Sequence, residues 1–179
     1  VQIIASGPND VDNDVHQLYF QTIMSAQQCL YLITPYFIPD ECTMQALKTA
    51  AGSGVDVRMV LPGLSDNRFV HMATMAYAED LVKAGVRVYQ YQKGFIHSKI
   101  LIADQVLAAV GTANFDRRSF FSNFELTAVL FRRETIAEVT AHFMADLVHC
   151  TEVGAGTAYE RTWLQKVLKI FVRIISPLL

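Results

Sequence analysis

The sequence predicts an α/β domain, an α/β/α sandwich with a mixed central sheet. Three observations predict it. Short apolar runs alternate with helical patterns from Gln2 to Tyr91, the rhythm of a largely parallel sheet with helices on both faces. After Gly94 three apolar runs follow with no helix between the first two, which calls for a hairpin. Hydrophobic residues make up 52% of the 179 and charged residues 18%, a balance that buries a core and excludes a disordered chain.

The elements follow in order. A strand at 2–5 runs into the loop Ser6-Gly7-Pro8-Asn9-Asp10. Asp12 or Asn13 caps a helix reaching about residue 28. A buried strand at 29–34 ends at Pro35. Asp40 caps a helix with Met44 and Leu47 on its apolar side, stopped by Gly52-Ser53-Gly54. A strand at 55–61 turns at Pro62-Gly63, a helix at 66–84 is capped by Asp66 and stopped by Gly85, and a strand fills 86–91. Strands at 96–103, 106–113 and 124–131 come next, then a helix from about 133 to 149. Domain 1–153 is therefore one body. Gly154-Ala155-Gly156 opens a tail, 154–179, made of a glycine hinge and a final helix at 160–175.

Charge and cysteine content exclude several functions. The formal net charge is −2, so no global cationic field advertises nucleic acid as a partner. Cys29, Cys42 and Cys150 are far apart and odd in number, which suits a reducing compartment and gives neither a disulfide framework nor a zinc knuckle. No apolar run reaches the ~18–20 residues of a spanning helix. Val1 opens the chain without an initiator Met or a signal-peptide pattern, so the sequence reads as a piece of something longer.

The chemistry-bearing stretch is 95–114. Side chains two apart on a strand share a face, so His97 and Lys99 point the same way. Asp104 and Gln105 form the turn of a hairpin. With the centre between them, His97 pairs with Thr112, and Thr112 and Asn114 join the face of His97 and Lys99; a one-residue slip would break this. Asn123 and Glu125 share a face of the third strand. These groups suit a phosphate ester. Lys99 supplies charge and Thr112 and Asn114 neutral donors. An imidazole can attack phosphorus or shuttle protons near neutral pH. Glu125 can hold the other ring nitrogen of His97. Asp104, at the turn, reads as a structural anchor of the set. No metal-ligand set accompanies these residues, so the reading is metal-free and cofactor-free.

The plainer readings weigh less here. The H-x-K-x-x-x-x-D spacing alone arises by chance in about one such sequence in a hundred. Gly111, Asn114 and Glu125 make coincidence far rarer, and a Lys inside an apolar strand is costly unless paired or used. His142 and His149, seven apart on one helix, read as surface or capping residues. His16 and His71 read as ordinary helix residues, and Tyr36, Phe37 and Tyr77 as core, although Tyr36 and Phe37 leave a strand end, where α/β folds place ligands.

In the tail, Trp163, Val167, Ile170 and Ile174 line one stripe, with Lys166, Lys169 and Arg173 on the other side. A basic amphipathic helix with Trp at one end suits an anionic membrane surface, with Trp163, Lys166, Lys169, Ile170, Arg173 and Ile174 in contact. Packing of this helix on its own domain, or on a missing partner half, is the competing reading.

His97, Lys99 and Asp104 with Gly111 and Asn114 resemble the HKD signature of the phospholipase D superfamily. Pro35-Tyr36-Phe37-Ile38-Pro39-Asp40-Glu41, Val110-Gly111-Thr112-Ala113-Asn114, Arg118-Ser119-Phe120, Asn123-Phe124-Glu125 and Ser176-Pro177-Leu178-Leu179 extend the resemblance to the second half of bacterial cardiolipin synthases, over nearly the whole chain. The resemblance implies a phospholipase D-like fold and a ping-pong phosphatidyl transfer: two phosphatidylglycerol molecules give cardiolipin and glycerol through a phosphohistidine. It implies catalytic roles for His97, Lys99, Asp104 and Glu125. His97 would be general acid/base opposite a nucleophilic histidine of the other half, Lys99, Thr112 and Asn114 would grip phosphate oxygens, and Glu125 would orient His97. Thr112 stands where many members have Ser and keeps the hydroxyl. Only one HKD is present, so the site needs the missing N-terminal half or a homodimer mate. The implied place is the bacterial inner membrane, peripheral and on the cytoplasmic side. The competing functions are a phospholipase D-type hydrolase or nuclease, and a non-catalytic half that binds lipid.

Overall fold

Alternating side chains of each strand divide between two faces of one sheet in the computed structural model, which describes residues 1–64 and 66–154. Ten strands are β1 (Gln2–Ser6), β2 (Cys29–Ile33), β3 (Phe37–Ile38), β4 (Asp56–Pro62), β5 (Arg87–Tyr91), β6 (Ile100–Ala103), β7 (Leu107–Gly111), β8 (Phe115–Asp116), β9 (Glu125–Leu130) and β10 (Cys150–Glu152). The helices are α1 (Asp14–Ser25), α2 (Glu41–Gly52), α3 (Arg68–Lys83), α4 (Arg117–Phe121) and α5 (Arg133–Leu147). The main sheet runs β1-β9-β7-β6-β2-β4-β5-β10, and β3 and β8 form a small parallel pair. Only β2, β4 and β5 are parallel in the main sheet; its other pairings are antiparallel. The sheet is mixed, as expected, but its parallel part is narrower than the sequence rhythm implies, because β1 crosses to the far edge and pairs with β9.

One face carries Leu30, Leu32, Val57, Met59, Leu101 and Ala109 and is covered by α1, α2, α3 and α4 through Tyr19, Leu47, Leu81 and Phe120. The other carries Tyr31, Ile33, Val60, Ile102 and Ala108 under α5, whose Phe143 ring stacks on Tyr31 at 4.9 Å. Helices on both faces of an all-buried centre make the sandwich. Asp40 caps α2 as expected, its carboxylate accepting from the Thr43 amide at 3.0 Å. Asn67, not Asp66, caps α3, accepting from the Phe69 and Val70 amides; the helix starts two residues later than its pattern suggests. α5 ends at Leu147, so His149 lies beyond it and does not share a helix face with His142.

The parity of the pairing puts many loops at one sheet edge. The ends of β2, β4, β5 and β7, the starts of β6 and β9, and the end of β1 all lie there. That edge holds Tyr36, residues 63–64 and 66–67, the segment 92–99, and Thr112, Asn114 and Asn123. The expected tail helix and its membrane-contact residues lie outside the described residues. Among the described residues no helix is long and apolar enough to cross a membrane.

Candidate active site

The hairpin that builds the site turns where the sequence places it, but its register differs. Asp104 and Gln105 adopt φ of 51° and 59°, and the Val106 amide donates to the Ala103 carbonyl at 2.9 Å, a tight turn centred between them. Val106 is then an extra, unpaired residue, as in a bulge, so Ala103 pairs with Leu107 and Ile100 with Val110. The pairing has slipped by one. Lys99 faces Gly111, whose amide donates to the Lys99 carbonyl at 3.2 Å, and His97 is not opposite Thr112. The shared-face argument for Thr112 and Asn114 therefore fails.

Those two residues reach the site by another route. β7 stops at Gly111, and the chain bends at Thr112. The Thr112 amide still donates to the Leu126 carbonyl at 2.9 Å, while its hydroxyl donates to Glu125 and accepts from the Leu126 amide at 2.9 Å. Asn114 hydrogen-bonds Asp116, and its amide N–H donates to Ser119 Oγ at 3.1 Å. Gly111 is required for this close approach, because a Cβ there would sit 2.5 Å from the Leu126 carbonyl oxygen and 2.6 Å from Thr127 Oγ1.

His97 and Lys99 meet as the two-residue spacing predicts, although they precede β6. The Lys99 ammonium lies 3.0 Å from His97 Nδ1 and 3.1 Å from Nε2, and donates to the His97 carbonyl at 2.8 Å. His97 is exposed at the edge while Lys99 is 8% exposed. Burial pulls the Lys99 amine below its ordinary pKa, and the Glu125 and Asp116 carboxylates work against that pull. Glu125 is buried, and its other hydrogen bond comes from Asn123 Nδ2 at 3.4 Å, confirming the shared face of that pair. Glu125 thus spends its bonds on Thr112 and Asn123 and acts on Lys99 by charge; it does not hold a ring nitrogen of His97.

Asp104 stands at the opposite end of the hairpin from His97. Its carboxylate accepts from the Gln27, Gln28 and Cys29 amides at 2.7, 2.8 and 2.8 Å. Burial raises its pKa, but these three donors win and hold it below the ordinary range. It pins the hairpin to the chain entering β2.

Two further residues, Asp116 and Phe95, were not singled out by the sequence, and a third, Tyr36, was noted only for its place at a strand end. Asp116 caps α4, accepting from the Ser119 amide at 2.7 Å, and burial pushes its carboxyl up despite the donors around it. The Asp-x-x-Ser spacing was the available signal. Tyr36 leaves β2 and stands edge-on to His97, ring centroids 6.5 Å apart, while its hydroxyl donates to Asp66 at 2.6 Å. Burial, with help from Asp66, pushes that phenol up to about 12. Phe95 lies against His97 at 5.6 Å. Phe37 is core, as expected.

An imidazole backed by a buried ammonium, with carboxylates behind the ammonium, is an arrangement that can bind a phosphodiester and move a proton to or from it. Residues 19–147 match the family model described as the cardiolipin synthase, phospholipase D-like domain. The chain belongs to that family. Over its full length it is 43% identical to a cardiolipin synthase of Halalkalibacterium halodurans, covering 36% of that protein, and 41% identical to cardiolipin synthase 2 of Bacillus cereus, covering 35%. The chain thus spans about a third of the length of these curated relatives. The fold is that of the solved Nuc of Salmonella typhimurium, a phospholipase D family member, with a TM-score of 0.72 and 21% identity over 86% of this chain and 97% of that one. It also matches a phosphatidylserine synthase of Haemophilus influenzae, with a TM-score of 0.78 and 16% identity over 99% of this chain and 47% of that one.

Proposed function

We propose that this chain supplies one half of the site of a phosphatidyltransferase that makes cardiolipin from two phosphatidylglycerol molecules. The observation that carries the reading is the Lys99 ammonium against both ring nitrogens of the exposed His97, in a chain whose whole length matches cardiolipin synthases. The missing N-terminal half, or a second copy, brings the nucleophilic histidine. Its ring nitrogen attacks phosphorus and forms a P–N bond as the P–O bond to glycerol breaks. His97 gives its proton to the departing glycerol oxygen. It then takes the proton from a headgroup hydroxyl of the second phosphatidylglycerol, whose oxygen forms the new P–O bond as the P–N bond breaks. Lys99 and Asn114 hold the phosphate oxygens, Thr112 braces Glu125 through its hydroxyl, Glu125 keeps Lys99 charged, and Asp104 positions the hairpin. No metal or cofactor takes part in this scheme. The enzyme works at the inner face of the bacterial plasma membrane, and nucleic acid is not its substrate.

The test is product analysis with vesicles of phosphatidylglycerol and the full-length protein. Cardiolipin and glycerol in equal amounts are expected. Phosphatidic acid as the sole lipid product would replace the transferase with a hydrolase, and a chain that binds the vesicles without any product would be a lipid-binding half.

A further inference from the structure

Large apolar side chains are exposed on the loops around the site, where water normally selects polar residues. Leu64 is 61%, Phe69 66% and Phe95 42% exposed. Singly these would need no explanation. They lie on two neighbouring loops of one edge. Leu64 follows the end of β4, Phe69 opens α3, and Phe95 follows the end of β5, the strand paired with β4. They are also tied to the site. Phe95 lies against His97, and Asp66, between Leu64 and Phe69, binds the hydroxyl of Tyr36, whose ring stands beside the same histidine.

The same loops carry exposed cations. Arg68 precedes Phe69, and Lys93 lies two residues before Phe95. Asp66 is the one acid between Leu64 and Phe69, and it is engaged by Tyr36. Apolar tips flanked by cations complement a surface with an apolar interior and an anionic skin. We infer that Leu64, Phe69 and Phe95 enter the acyl region of an anionic phospholipid bilayer, with Arg68 and Lys93 on its headgroups. This membrane contact sets the mouth of the site against the bilayer. The inference rests on the lipid-diester reading above and adds the surface by which the substrate is met.

The chain has a single tryptophan, Trp163, in the tail. In a full-length protein whose native tryptophans, Trp163 among them, are replaced by Phe, Leu64→Trp, Phe69→Trp and Phe95→Trp place one reporter each at exposed positions. Vesicles of phosphatidylglycerol and phosphatidylcholine in equal parts should shift each emission to the blue, and bromine-labelled acyl chains should quench it; vesicles of phosphatidylcholine alone should do neither. Arg68→Gln and Lys93→Gln should weaken partition by about fivefold for each cation removed. Emission unchanged by the anionic vesicles overturns the inference. So does an equal shift with phosphatidylcholine alone, or a shift on raising protein concentration without lipid, which would give this face to a second copy. The readout needs no turnover. Cardiolipin made by an enzyme whose reporters stay in water removes the docking surface alone, whereas reporters that insert while the full-length enzyme exchanges no headgroup remove the transferase alone.

Discussion

Lys99 sits where desolvation and two carboxylates compete for the charge of one amine. Burial favours the neutral form, so the alkaline limb of the pH profile should fall below that of an ordinary lysine. Glu125 is the first of the two opposing charges. In Glu125→Gln the neutral amine is reached at lower pH, so the alkaline limb should move to lower pH; an unmoved limb would separate Glu125 from the charge of Lys99. Asp104 offers a different prediction. Asp104→Asn removes a charged acceptor from three backbone amides and should cost about 1–3 kcal/mol in denaturant unfolding. An unchanged midpoint would show that the hairpin needs no anchor. At this scale the sequence was informative where two-residue spacing decides contact, as for His97 with Lys99 and Asn123 with Glu125. It misled for Thr112 and Asn114, because the extra Val106 shifts the register and no pattern announces it. Asp116 stayed hidden because its role depends on α4, too short to have a period.

α1 and α2 meet through a polar contact inside an apolar layer. His16 Nε2 lies 3.0 Å from the Asp40 carboxylate and 3.2 Å from the Thr43 hydroxyl, with its ring between Phe120 at 5.0 Å and Phe121 at 4.9 Å. Its helix is legible in sequence, but this pairing joins residues far apart in the chain. Burial alone would raise the Asp40 carboxyl; His16 and Thr43 outweigh it and hold the group far below the ordinary carboxylate range. A depressed folded pKa supplies stability above the unfolded value, about 4, and loses it as pH falls below that value. The melting temperature should therefore drop between about pH 4 and pH 2. Asp40→Asn should lower it at neutral pH and flatten the acid decline, since the amide does not titrate; parallel declines in the two proteins would contradict this. Asp56 and Asp104, also depressed, keep some slope in the variant. Strand pairing makes a second prediction. A methyl at Gly111 meets the β9 backbone, so Gly111→Ala should destabilise by about 1–3 kcal/mol in urea unfolding and loosen the Thr112 to Glu125 contact. Wild-type stability in this variant would mean that the two strands can part cheaply.

At the scale of the whole molecule, the alternation of strands and helices and the unbroken run after Gly94 were enough to give a sandwich with a mixed sheet, because burial on both faces writes long apolar runs. The far-edge placement of β1 was not readable, since partner choice in a sheet leaves no local mark. Topology does the positioning: it brings seven strand ends to one edge and so gathers an imidazole, an amine, two amides and two carboxylates from three chain segments, 97–99, 114–116 and 123–125. Under the proposed function this edge is half of a two-histidine site, since the chain holds one H-x-K. The most direct measurement is cardiolipin formation by the full-length enzyme carrying His97→Gln, on phosphatidylglycerol vesicles, beside the unaltered protein. Loss of general acid/base catalysis should slow turnover by about 10²–10⁴-fold with folding intact. Turnover at the unaltered rate would contradict a proton-transferring His97 and with it the half-site.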